Sequence, residues 1–117
     1  MSPNFKTKRG RLGEVIALRE LQDLGHIILF TNYRNRFAEI DIISFFDGGL
    51  HFFEVKTWSE QDSYHPFFSL NETKQRKMRK SYLYLTQMIP AFSHLTVSFD
   101  LIHITEKTEV IFYYSLF

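Results

Sequence analysis

Apolar and polar positions change period several times along the chain. In "EVIALRELQDLG", Ala17, Leu18, Leu21 and Leu24 recur at helical spacing and Gly25 offers a left-handed stop, so a helix is predicted over 12–24. "HIILFTN" (26–32) is a short β-rich run and "YRNRF" a polar connection. "AEIDIISFFDGGLHFFEVKTW" (38–58) then reads as two strands joined at Asp47-Gly48-Gly49. Residues 58–68 contain Pro66 and no period, which predicts a loop. "SLNE" sets Ser69 three residues before Glu72, the capping-box spacing, and opens a second helix over 70–88 that Pro90 ends. "HLTVSFDLIHI" (94–104) and "EVIFYYSLF" (109–117) are two more strands, a hairpin across "TEKT". The order is α-β-β-β-α-β-β, an α/β chain expected to form a single domain over residues 1–117.

The central hairpin carries Asp41, Glu54 and Lys56 inside otherwise apolar strands. A two-residue Asp47-Gly48 turn pairs Phe46 with Gly49, and counting outward puts Asp41 opposite Glu54 and Glu39 opposite Lys56 on one face. The other face then carries Ile40, Ile42, Phe53 and Val55, a set suited to a covering helix. A Gly48-Gly49 turn keeps these faces, whereas a three-residue turn separates the acids. Carboxylates opposed at about 4–5 Å repel by roughly 3–4 kcal/mol at an effective dielectric near 20. A shared proton, a lysine or a divalent cation can offset that, and an oxygen-only ligand set suits Mg2+ or Mn2+.

Glu14 adds a third acid, because at 100° per residue it falls within the Ala17-Leu18-Leu21 stripe and not with Arg19, Gln22 and Asp23. The alternative is a first-turn acid that complements the helix dipole. Acids around a cation support phosphodiester hydrolysis, in which the ion neutralises phosphate oxygens and lowers the pKa of an attacking water. Lys56 would orient that water or stabilise developing negative charge.

Composition narrows the setting. A hydrophobic content of 44% over 117 residues is enough for one core, and 13 phenylalanines supply much of it or a partner surface. The absence of cysteine excludes disulfides and thiolate zinc sites and fits a reducing compartment, so the expected location is cytoplasmic. No run of about 18 apolar residues occurs and the first residues lack a secretory pattern, so no membrane association is expected. Net charge is only +1, yet basic residues cluster at "KTKRGR" (6–11) and "KQRKMRK" (74–80). The second run, with Lys74, Gln75, Arg76, Lys77, Arg79 and Lys80, suits the backbone of a nucleic acid, as could Arg34, although Tyr33-Arg34 better suits bracing of a strand end. The five histidines show no i,i+4 pair and read as structural or exposed, and Asp100 as the acceptor of a structural hydrogen bond.

The order helix-Glu14, Asp41, Glu54-Val55-Lys56 and basic helix resembles the PD-(D/E)xK restriction-endonuclease-like superfamily. In detail "GRLGEVIALRELQDLGHIIL", "NYR", "EIDII", "FFEVKTW", "KQRK" and "SFD" resemble the YraN-like family of small uncharacterised bacterial proteins, itself similar to archaeal Holliday-junction resolvases. The resemblance spans about Gly10 to Ile104. It implies a central mixed β-sheet flanked by helices, Asp41, Glu54 and the Val55 carbonyl as metal ligands, Glu14 as a third acidic member and Lys56 as the catalytic lysine. It also implies approach of Lys74 or Gln75 to the site, DNA as partner, branched DNA included, and a homodimer in which "VIFYYSLF" could serve as interface. Two positions depart from the family pattern: Ala38 stands where glycine is usual before "EID", and Trp58 where an arginine is usual after the lysine. The sequence therefore predicts a magnesium-dependent nuclease. The rival readings are a nucleic-acid-binding module without turnover and a protein-interaction domain built on exposed aromatics.

Overall fold

The computed structural model describes residues 8–57 and 70–117. Trp58, the expected loop to Phe68, Ser69 and Lys6 of the first basic run lie outside them.

The elements follow the expected order: helix α1 (Lys8–Asp23), strands β1 (Ile27–Arg34), β2 (Glu39–Phe46) and β3 (Gly49–Thr57), helix α2 (Glu72–Met88), a 3-10 turn (Pro90–His94), and strands β4 (Thr96–Ile104) and β5 (Val110–Tyr113). The strands form one mixed sheet in the order β1-β2-β3-β4-β5. Only the β3–β4 pair is parallel. A parallel pair needs a long crossover, and the segment containing α2 supplies it.

Each helix covers one face. α1 packs Ala17 and Leu21 onto Ile42, Phe53, Ile102 and Ile104, while α2 packs Met78 and Leu85 onto Ile43, Leu50, Phe52, Phe99 and Leu101. Gly25, at φ 101°, ends α1: its amide bonds Gln22 O and that of His26 bonds Leu21 O, the paired bonds of a Schellman cap. Gly13 lets α1 approach the end of β3, because a Cβ there would collide with Thr57 Cγ2.

Several boundaries differ from the sequence reading. α1 begins four residues earlier than residue 12. Tyr33 and Arg34 extend β1, so the polar connection is Asn35–Ala38. There Asn35 Oδ1 accepts the amides of Phe37 (2.9 Å) and Ala38 (3.3 Å) while its Nδ2 donates to Ser81 Oγ on α2 (2.8 Å), a staple that hydrophobic period does not report. α2 is capped by Asn71, whose side chain accepts from Lys74 N, in place of the expected Ser69–Glu72 box. β5 is only four residues long.

Candidate functional site

The hairpin turn is the two-residue one. Asp47 (φ 50°) and Gly48 (φ 78°) both take the left-handed conformation of a type I′ turn, and Phe46 pairs with Gly49. The register runs on to Ile42–Phe53 and ends there, one step short of the expected Asp41–Glu54 pair.

At that step β2 leaves β3. Ile42 packs under α1, but Ile40 packs with the α2 cluster, together with its β1 partner Tyr33. The expectation that Ile40 would share the α1 face with Ile42 is therefore corrected. The physical reason lies in the neighbouring strand: Asn32, between the Thr31–Ile42 and Tyr33–Ile40 pairs, has φ 51° and twists β1 there, and β2 follows it once β3 no longer holds its pleat. Asp41 lies between a residue on one face and a residue on the other, so it projects along the sheet plane into the gap. Its Oδ2 accepts the main-chain amide of Val55 at 2.8 Å, which a continued ladder would direct to Ile40.

Glu54 follows Phe52 on the α2 face and is 8% exposed. Its Oε1 is held by the ammonium of Lys74, from the first turn of α2, with Lys56 Nζ 3.5 Å away. Two lysines thus neutralise one buried carboxylate, as burial of a charge requires. Glu14 enters from the other layer: it is half-buried on α1 beside Gly13, at the level of Thr57 where β3 ends. The three acids hence come from α1, from the gap and from the α2 face. Among the described residues, no group of three or more His, Asp or Glu side chains forms a metal cage. The expected pairing of Glu39 with Lys56 lies beyond the described β2–β3 register, and Glu39 pairs with Arg34 of β1.

Of the other sequence candidates, Lys74 reaches Glu54, while Gln75 Nε2 donates to Leu70 O at 2.8 Å. Arg76, Lys77, Arg79 and Lys80 are exposed on α2, with the Arg79 guanidinium 5.1 Å over the Phe117 ring. Arg34 is exposed at the end of β1, while Tyr33 accepts from Asn35 Nδ2 at 3.3 Å and braces the strand end.

A second polar cluster lies on the α1 side near the hairpin turn. Fully buried Asp100 accepts from Ser98 Oγ, from Ser115 N at 2.8 Å and pairs with His51 Nδ1 at 2.8 Å. His26 Nδ1 lies 2.8 Å from Ser44 Oγ, and its ring stacks on Phe46. Burial lowers the pKa of His26, the charge on His51 lowers it further and Asp100 opposes both. Burial and Asp100 together raise that of Tyr114. Asp100 has the structural role expected of it. Ser98 lies two residues away on the same strand, whereas His51 of β3 and Ser115 of the C-terminal segment are contacts that no local spacing encodes.

The molecule is thus an α/β protein with a mixed five-stranded sheet between two helices, in which Asp41 bonds the Val55 amide where β2 and β3 part and Lys56 lies beside Glu54 on β3. Residues 13–104 match the family described as "Uncharacterised protein family UPF0102". The chain belongs to this family, the YraN-like family its motifs resemble. A UPF0102 protein of Leptospira interrogans is 41% identical over 113 residues, 97% of each chain. One of Thermodesulfovibrio yellowstonii is 37% identical over 98 residues, 84% of this chain and 86% of that one. One of Syntrophus aciditrophicus is 34% identical over 109 residues, 93% and 84% respectively. Among the described residues no helix is long and apolar enough to cross a membrane.

Proposed function

We propose that the protein is a metal-dependent nuclease that hydrolyses phosphodiester bonds in DNA, with branched or junction DNA as the substrate that its motifs' resemblance suggests. The observation that carries this reading is the placement of Asp41 in the gap between β2 and β3, hydrogen-bonded to the amide of Val55, the residue that follows Glu54, with Lys56 beside Glu54. Asp41, Glu54 and the Val55 carbonyl are hard oxygen donors, and magnesium takes only one or two protein carboxylates, filling its remaining positions with water and substrate phosphate. When bound there, Mg2+ or Mn2+ would polarise the phosphate and lower the pKa of a coordinated water.

The chain's own residues have distinct roles in this reading. Lys56 holds positive charge against Glu54 and stands ready for the charge that develops on phosphate. Lys74 neutralises Glu54 Oε1, and its ammonium would contribute positive charge toward a phosphate bound beside that carboxylate. Glu14, from the opposite layer, is the candidate acceptor of a proton from water. Arg34, Arg76, Lys77, Arg79 and Lys80 are exposed and supply backbone contacts whose strength falls with salt. A homodimer belongs to the same proposal, with the edge strand β5 and exposed Ile111 and Tyr114 as its candidate interface.

Incubation of purified protein with supercoiled, single-stranded and four-way-junction DNA in magnesium or manganese tests the proposal. Cleavage that disappears in Asp41→Asn and Lys56→Met supports it, and intact substrates in both metals count against it. A second reading, a binding module without turnover, draws on the neutralisation of Glu54 by two lysines. It requires salt-sensitive binding that persists in Asp41→Ala without cleavage.

A further inference from the structure

A groove of about 550 Å³ opens between the β1–β2 connection and the first two turns of α2, lined among others by Phe37, Glu39, Asn71, Lys74 and Lys77. It adjoins the acids directly, since the ammonium of Lys74 reaches from its wall to Glu54. Both walls are fixed. Asn35 ties the amides of Phe37 and Ala38 to Ser81 of α2, so the connection cannot move away from the helix without breaking these bonds. The Phe37 ring meets the edge of Tyr84 at 6.1 Å, and the exposed Arg36 guanidinium lies 5.1 Å over one of its faces, so a stacking base would take the other face or displace Arg36.

An aromatic ring beside lysines is the combination that holds single-stranded nucleic acid, the base stacking on the ring and the cation taking the phosphate. The volume suits one small ligand and not a double helix. A paired base within a duplex has no face to offer a ring, so only an unpaired nucleotide can use it. Lys74 and Lys77 are three residues apart on α2 and therefore lie on one side of the helix, where both line the groove.

We propose that this groove binds an unpaired nucleotide next to the phosphate presented to Asp41 and Glu54, making tailed, flapped or bulged nucleic acid the preferred substrate class. The assignment of that phosphate rests on the nuclease reading, whereas occupancy of the groove is measurable without turnover.

The test is fluorescence anisotropy in EDTA with one duplex in two forms, blunt and carrying a single-stranded tail. Wild type is expected to bind the tailed form about tenfold more tightly, in line with the worth of one stacked base. Phe37→Leu should reduce that preference to about twofold with blunt affinity unchanged, and Phe37→Trp should retain it. Lys77→Met should weaken both forms and reduce the salt slope by about one. Thermal melts of each variant establish that it is folded, and if Phe37→Leu is not, loss of preference on Phe37→Ser against its retention in Phe37→Trp serves instead. Equal affinity for the two forms, no binding to either, or a preference indifferent to residue 37 overturns the proposal. Cleavage assays in magnesium separate the two readings. Metal-dependent cleavage without tail preference removes the groove assignment alone, whereas tail preference without cleavage in any metal removes the nuclease reading alone.

Discussion

The main-chain amide of Val55 donates to the carboxylate of Asp41 at 2.8 Å, just beyond the last described pair of the β2–β3 ladder. A side chain stands where a backbone carbonyl would be, so the strands part without orphaning that amide. The opening places the Asp41 carboxylate beside the backbone of β3 at Val55, next to Glu54 in the chain.

Asp41→Asn keeps an acceptor for Val55 and should fold. Wild-type protein is expected to gain thermal stability on adding magnesium, about 2.7 kcal/mol at a concentration a hundredfold above Kd, because the ion binds the native state only. The asparagine variant should show no such gain. Equal shifts for the two proteins in differential scanning calorimetry would mean that the ion binds elsewhere.

Lys74→Met leaves Glu54, 8% exposed, with Lys56 as the remaining cation of the pair of lysines. The expected loss is about 1–2 kcal/mol in metal-free buffer, less than for a fully buried pair because Lys74 is one-third exposed. Magnesium should restore part of the loss, and adding Glu54→Gln should restore most of it. Urea titration of the two single variants and the double variant reads this coupling, and strict additivity would show that the lysine and the glutamate act independently.

Gly13→Ala puts a methyl group into Thr57 Cγ2 and should destabilise the protein by about 1–3 kcal/mol. Thr57→Ser removes that methyl group and should recover more than half of the loss. If the double variant is no more stable than Gly13→Ala, the cost lies in the helix and not in its contact with β3.

His26 has a folded-state pKa below its ordinary 6.5, first through burial and then through His51. The unfolded chain therefore takes up this proton first. The stabilising contribution is complete above about 6.5 and is lost as pH falls through the lower folded-state value. Denaturation midpoints measured from about pH 7 to about pH 5 should fall, and His26→Gln should flatten that decline. An unchanged slope in the variant would assign the acid sensitivity to another group.

Much of this architecture is legible in the sequence because it is written locally. The helix stop at Gly25, the Asp47-Gly48 turn and the alternation around Phe52 and Phe53 each follow from neighbours in the chain, and the turn alone fixes the hairpin register. The family follows from the ordered motifs. What the sequence conceals is non-local. The shift of Ile40 to the α2 face depends on a left-handed Asn32 in a different strand, and the Asn35–Ser81 staple joins residues 46 apart. Face-counting therefore placed Asp41 and Glu54 side by side on one surface, where the fold puts Asp41 in the gap. Ser69 suggested the wrong cap because Asn71, also a good N-cap, stands two residues later and bonds Lys74 N.

The central claim is that a divalent cation sits between Asp41 and Glu54. Crystals soaked in manganese test it most directly: the account predicts an anomalous peak within coordination distance of both carboxylates, with Lys74 withdrawn from Glu54. A manganese peak elsewhere, or none at this site with the Lys74–Glu54 contact intact, would contradict it.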